Sequence, residues 1–320
     1  MTRYGFHASH EQISPRQLLA DVQRAERAGF EIAMCSDHFA PWSRRQDHSG
    51  FAWSWLGAAL ASTQMTFGTV SAPGQRYHPA IIAQASATLA QMFPGRFWVA
   101  LGSGQNMNEH ITGDRWIAKD QRQQRLEESA AVIRALHAGE EVSHTGHVVV
   151  DRARLYSLPE EPPALIAPAL SPGTAERAAA WADGLITIND DDDSLRQVID
   201  AYRGAGGSGP LALQVHLSIA DSKEEAWQVA RDQWQNHALA KPLQDDLPLP
   251  EYFDMAGQHV PDDEIARAVL VTDSVAELAG RLTAYADLGF EEIYLHHVAQ
   301  DQGPFLDLAE AELLPALRAG

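Results

Sequence analysis

The sequence predicts a single-domain (β/α)8 TIM barrel with insertions, and three observations predict it. Short apolar runs alternate with amphipathic stretches along all 320 residues. Eight strand-then-helix units follow one another, and strands joined by helical crossovers lie parallel with right-handed connections. The turn after the first strand reads HASHEQ. It lacks the glycine-rich phosphate turn of a doubly wound open sheet, the alternative architecture, so eight units point to closure.

Residues 4–9 read as the first strand, and 15–29 as a helix. Leu18, Leu19, Val22 and Ala25 share one face of that helix, and Gly29 stops it. Strands are expected at 31–35, 65–71 and 96–101, with helices at 51–62, 79–92 and 121–138. Pro79 suits the first turn of its helix, and Leu126, Ile133 and Leu136 are spaced for burial. The rhythm then repeats, with strands at 164–169, 184–188, 211–219 and 292–298. Their helices are expected at 172–182, 194–204, 222–240, 274–288 and 304–317. Two segments interrupt it. Residues 140–163, with HTGHVVVDRARLYS, read as a β-hairpin insertion. Residues 241–262, with PLQDDLPLPEYFDMAG, are long for a connection and read as a lid-like insertion.

Composition narrows the function. Hydrophobic residues make up 45% and charged residues 21%, as in a folded globular protein. With 24 Lys and Arg against 43 Asp and Glu, the formal charge is −19, which repels nucleic acid and anionic membranes. No apolar run approaches the roughly 20 residues of a membrane span. The opening MTRYGFHASHEQ shows neither signal peptide nor lipidation motif, so a cytoplasmic location is expected. Cys35, the sole cysteine, excludes an internal disulfide framework and reads as core.

Barrel chemistry gathers at the C-terminal strand ends, and those ends are polar here. They carry His7 and Ser9, then Ser36, Asp37, His38 and Trp42, then Ser71, with Arg76 and Tyr77 following. The fourth strand runs into Gly102, Ser103, Gly104, Gln105, Asn108 and Glu109. Thr187, Asn189, His296 and His297 complete the set. A packed apolar barrel has no structural need for so many polar groups. His38 suits a proton acceptor near neutral pH. Asp37 beside it could orient the imidazole, but neighbours on an extended chain point opposite ways. The glycines around Ser103 let a ligand approach the backbone. His144 and His147 lie in the expected hairpin without nearby carboxylate partners, and no zinc-ligand set is evident. The aspartates at 190–193 read as a loop and helix N-terminus.

Several runs together resemble the luciferase-like family of flavin- and deazaflavin-dependent oxidoreductases. They are GFHASHEQ, SDHFAPW, RYHPAIIAQASATLAQMFPGRFWVALGSG, NEHITG, WADGLI and FEEIYLHH, and they span nearly the whole chain. The branch nearest by these motifs holds the deazaflavin-dependent glucose-6-phosphate dehydrogenases and relatives thought to use FMN. The resemblance implies a ring seated over the barrel mouth, supported by a non-proline cis peptide near Thr69, Val70 and Ser71. It implies cofactor contacts from Asp37, Ser103, Gly104 and Asn108, and phosphate contacts near Ser171, Gly173 and Thr174. It makes His38 the base on a substrate hydroxyl and Trp42 a support for the intermediate.

Three departures stand out. Gln105 occupies the position of a proposed catalytic acid, and Glu109, nearby, matches a different family position. NDDDD follows the sixth strand where the branch uses a lysine for sugar phosphate, and Arg267 alone is a poor replacement. The glycine pair at the cofactor phosphate becomes ALSPGT. Glucose 6-phosphate is therefore not the expected substrate. The expected function is an FMN-dependent oxidoreductase acting on a small alcohol or sugar-like substrate, by hydride transfer or oxygen activation, with a flavin reductase as possible partner. The alternatives are a dehydrogenase using coenzyme F420 on an unphosphorylated sugar or alcohol, a flavin-binding protein without turnover, and a barrel isomerase or hydrolase without flavin. The family resemblance also implies a homodimer.

Overall fold

The computed structural model describes residues 2–319. Strands β1 (Arg3–Ala8), β2 (Ile32–Ser36), β3 (Thr66–Ser71) and β4 (Phe97–Leu101) alternate with helices α1 (Pro15–Ala28), α2 (Ala52–Ser62) and α3 (Pro79–Met92). After β4 come the short α4 (Asn106–Glu109) and the long α5 (Lys119–His137). An antiparallel hairpin follows, β5 (Val142–Thr145) with β6 (Val149–Ala153). The barrel resumes with β7 (Ala164–Pro168), α6 (Pro172–Ala178), β8 (Gly184–Ile188), α7 (Asp192–Gly204), β9 (Leu211–Ile219) and α8 (Lys223–Trp234). The insertion holds α9 (Leu243–Asp246), α10 (Pro250–Gly257) and α11 (Asp262–Ala268). The chain ends through β10 (Leu270–Thr272), α12 (Val275–Asp287), β11 (Glu292–His297), α13 (Gly303–Leu308) and α14 (Leu314–Ala319).

Parallel pairing runs from β1 through β2, β3, β4, β7, β8 and β9 to β11, and β11 pairs with β1 to close the barrel of eight strands. The β10 strand lies outside the eight. It pairs with the protruding end of β9, Leu270 opposite Leu217, and the apolar pattern did not announce so short an element. Side-chain caps set the helix starts. Ser14, Asp191, Ser222 and Ser274 each accept from the N–H three residues on. The sequence-read helix at 222–240 stops early, at Trp234, where the backbone leaves helical geometry (φ −133°, ψ 1°). The freed Asn236 donates to the Trp42 carbonyl and to Asp254.

Below the mouth the barrel is packed apolar. Ile32, Met34, Trp98, Ile166, Ile186 and Tyr294 fill it. A Cβ on Gly68 would stand 1.9 Å from Trp98 Cζ2, so only glycine leaves room for that indole. A second cluster, with Trp42, Met107, Trp234, Phe253 and Ile265, packs the insertion onto the mouth. The cis peptide implied near Thr69–Ser71 is not found. Among the described residues the cis bond is Lys241–Pro242. The third strand stays regular instead, because the Val70 and Ser71 carbonyls accept from the N–H groups of Asp37 (3.0 Å) and Gly102 (2.8 Å). No helix among the described residues is long and apolar enough to cross a membrane.

Candidate active site

The C-terminal ends of the strands open into a cavity of about 1400 Å³ including its mouth. Its floor and one wall carry Val70, Ala72, Pro168, Ile186 and Ile188, an apolar face suited to a flat ring. His38, Trp42, Gln105, Glu109, Asp37, Ser71, Ser103, Gly104 and Asn108 also line it.

Beside His38 lies a carboxyl that sequence reasoning missed, close to the ring but outside hydrogen-bond geometry. Glu11 Oε1 lies 3.2 Å from His38 Nδ1. Glu11 sits in the turn after β1, buried, with Oε2 accepting from Ser9 Oγ at 3.0 Å. Its motif, HASHEQ, was visible as a polar strand end, but the pairing joins two loops distant in sequence. Burial pushes the Glu11 carboxyl up to about 7 and the His38 imidazole down to about 4. Arg76 lowers His38 further, and Asp37 partly opposes this. At neutral pH His38 is therefore an unprotonated base with a nearly half-ionised carboxyl behind it. Since Nδ1 faces Glu11, Nε2 is the nitrogen left for the cavity.

Asp37 does not orient His38. Its Oδ2 accepts from Ser71 Oγ (2.8 Å) and Trp53 Nε1 (3.1 Å), and its Oδ1 from Tyr77 OH (3.2 Å). The Arg76 guanidinium lies 3.4 Å from Oδ2 and donates to the Asp37 carbonyl. Opposite side-chain directions on the β2 extension produce this division: His38 serves the cavity and Asp37 clamps its loop. Asn108 braces the same loop by accepting from the N–H groups of Phe39 and Ala40.

The glycine turn supplies backbone. Gly104 has φ +84°, and a Cβ there would approach Glu109 Cγ to 3.1 Å. Gln105 precedes α4 with no side-chain capping bond. Glu109 is buried, and burial raises its carboxyl. Its Oε2 accepts from the Arg76 N–H at 2.7 Å, so this carboxylate helps hold the arginine loop.

Ser171 and Thr174 line the outer cavity with Lys119 and Gln123. Their hydroxyls bond to each other at 3.0 Å. Two resemblance-derived contacts fall away from the cavity. Gly173 is not part of its lining, and Thr69 is turned into the wall, where its hydroxyl meets Cys35 Sγ. Burial raises the Cys35 thiol, which suits a core residue. The acidic run after β8 does not line the cavity either. Asp191 caps α7 and Asp192 accepts from Arg281. Arg267 pairs with Glu264 at the surface. Of the cations that do reach the lining, Arg76 was singled out by the sequence, and Lys119 and Lys241 were not. His144 does have a carboxylate neighbour, Glu128, at 3.0 Å. Among the described residues no three His, Cys, Asp or Glu side chains cluster as a metal site requires.

The wall opposite the glycine turn is aromatic. Trp42 packs against His38 (ring centroids 5.2 Å), His237 (5.2 Å) and Phe253 (5.3 Å). His237 in turn packs against His216 and Trp234.

The chain is similar to known proteins. The luciferase-like monooxygenase family model matches residues 1–292. The F420-dependent glucose-6-phosphate dehydrogenase of Beutenbergia cavernae is 34% identical over 330 residues, covering 100% of this chain and 98% of that protein. The F420-dependent hydroxymycolic acid dehydrogenase of Mycobacterium tuberculosis is 34% identical over 323 residues, covering 98% and 88%. Among solved structures, an F420-dependent secondary alcohol dehydrogenase in complex with an F420-acetone adduct superposes with a TM-score of 0.91. It is 29% identical and covers 99% of both chains.

Proposed function

The chain belongs to the luciferase-like monooxygenase family, and from that premise we propose that it is an F420-dependent dehydrogenase of an unphosphorylated alcohol or sugar. The observation that carries this reading is the Glu11–His38 pair, with the imidazole nitrogen opposite Glu11 free for the cavity. The preference for FMN yields to F420, because the similar relatives above carry F420 in their names.

The residues fit such a cofactor. The apolar floor of Val70, Ala72 and Pro168 suits a planar ring, and Gly104 lets backbone approach it. The Ser171 and Thr174 hydroxyls, with Lys119, suit an anionic tail. When bound, the deazaflavin supplies a hydride acceptor. Neutral His38 takes the proton of the substrate hydroxyl as its carbon is oxidised to a carbonyl. The Glu11 carboxylate stabilises the imidazolium that results. Trp42 excludes water and packs against the reacting carbon's substituents. Gln105 offers an amide that orients by hydrogen bonding and supplies no acid proton.

Titration of the protein with F420 and, separately, with FMN tests the assignment. Tight F420 binding, with reduction of F420 by alcohols but not by glucose 6-phosphate, is expected. Tight FMN binding without F420 binding returns the FMN reading. His38→Ala should lower kcat by about 10²–10⁴-fold with F420 affinity kept within several-fold. Intact turnover removes His38 as base.

A further inference from the structure

The wall beyond Trp42 contains a hydrogen-bond chain whose proton positions are forced. Gln12 Nε2 donates to the Val298 carbonyl at 2.5 Å and to Gln233 Oε1 at 3.1 Å. A backbone carbonyl only accepts, so this orientation of the Gln12 amide is fixed. Gln12 Oε1 then faces His296 Nε2 at 2.7 Å and must accept from it. His296 carries its proton on Nε2, which leaves Nδ1 as a lone pair. His216 Nδ1, 2.9 Å away, must donate to that lone pair. His216 Nε2 is consequently an acceptor. It is buried without a partner in the protein, on a residue that lines the cavity. Burial holds both imidazoles well below their ordinary pKa, so neither carries the second proton that would break this logic.

A second orphan lies beside it. Trp234 packs against His216 with ring centroids 4.9 Å apart, lines the same cavity, and has an unpartnered buried Nε1, which can only donate. His237, which packs against both rings, also lines the cavity and has an unpartnered Nδ1. The His216 acceptor and the Trp234 donor together match a hydroxyl, which gives one hydrogen bond and takes another. They do not match a phosphate or carboxylate, because the His216 lone pair repels an anionic oxygen. The subsite adjoins the base through an unbroken aromatic wall: His38 to Trp42, Trp42 to His237, His237 to His216.

We propose that His216 Nε2, with Trp234 Nε1, binds a second hydroxyl of the substrate, so that the enzyme selects a neutral diol or polyol over a simple or an anionic alcohol. This rests on the alcohol dehydrogenase reading above. Gln12 and His296 act as positioning residues that set which His216 nitrogen is bare.

Three alcohols sharing one secondary carbinol test it with F420: 2-butanol, 1,3-butanediol and 3-hydroxybutyrate. The diol should exceed 2-butanol in kcat/KM by about 100-fold, as expected where a buried polar pair is left unmet. The carboxylate should be the poorest. His216→Phe should collapse the diol preference, His216→Gln should restore part of it, and Gln12→Leu should weaken it with His216 in place. Equal kcat/KM for diol and 2-butanol in the wild type overturns the proposal while the dehydrogenase reading stands. Nitrogen-15 spectra of the histidines decide the matter apart from turnover. An unprotonated His216 Nε2 that shifts with 1,3-butanediol and not with 2-butanol is expected. A protonated Nε2, or no response to the diol, overturns the proposal even if the enzyme is active. If no alcohol is oxidised the reaction reading falls, and these spectra still settle the subsite.

Discussion

His38, the proposed base, lies with its Nδ1 3.2 Å from the Glu11 carboxyl. His38 stood out because imidazole at a strand end suits proton transfer. Glu11 did not, since its carboxylate reaches His38 only when the β1 and β2 ends lie side by side. Asp37, adjacent in sequence, was the visible carboxylate, and it is spent on Ser71, Trp53, Tyr77 and Arg76. The Glu11 assignment has a pH signature. Its carboxyl, raised to about 7, is neutral below that pH and charged above it, while His38 stays unprotonated down to about 4. Alcohol oxidation should therefore rise with pH through about 7 to a plateau. Glu11→Gln should lower the plateau by about 100-fold and remove the limb near 7. A pH–rate profile of kcat/KM reads both effects. An unchanged limb in the variant means that some other group controls it.

At the scale of elements, legibility followed local chemistry. Helices opening on Ser222 and Ser274 carry a glutamate three residues on, the pattern of a capping box, and both start where that pattern places them. The interior of the 241–262 insertion was opaque, because its helices are short and their apolar residues face the mouth. Its anchors are long-range. Asp254 on α10 accepts from Ser43 Oγ (2.6 Å), the Arg44 N–H (3.0 Å) and Asn236 Nδ2 (3.2 Å). On the other side, Asp246 accepts from Trp116 Nε1 at 2.8 Å. The Asp254 contacts tie the insertion to the loop that carries Trp42, and the Asp246 contact ties it to the segment between α4 and α5. Asp254→Ala removes three hydrogen bonds, each contributing about 1 kcal/mol, and frees α10 from that loop. Substrate KM should rise by about 10-fold with a smaller change in kcat, since the base is untouched. Limited proteolysis should cut faster within 241–262. Unchanged KM and cleavage would show that the apolar cluster alone holds the insertion.

For the whole molecule, the alternating pattern predicted closure because β1 and β11 must find each other once seven right-handed crossovers are complete. Charge balance set a different constraint that composition could not reveal. The surface is strongly acidic, yet seven histidines lie in or near the C-terminal strand ends, His7, His10, His216, His296 and His297 buried and His38 and His237 half-buried. Burial, the largest cause for each, lowers all seven. His7, His10 and His237 fall to about 3, and His38 and His297 to about 4. The unfolded chain binds protons at an ordinary histidine pKa near 6.5, and the folded chain refuses them. Stability is thus complete above pH about 6.5 and lost as pH falls toward the folded values. Between pH 6.5 and 5.5 each histidine costs about 1 kcal/mol. Seven together reach several kcal/mol, a large part of the roughly 5–15 kcal/mol that holds a domain. Glu11, raised to about 7, acts in the opposite sense, because its contribution is present at low pH and lost as pH rises through 7. Protonating surface carboxylates also relieves self-repulsion at a formal −19. One buried carboxyl and screened surface charges are the weaker side of this balance. The melting temperature should therefore drop by about 10 °C between pH 7.5 and 5.5. A thermal denaturation series across that range measures it. A flat or rising profile would mean that charge relief dominates and that the mouth takes up protons without unfolding, which would also remove the neutral His216–His296 chain.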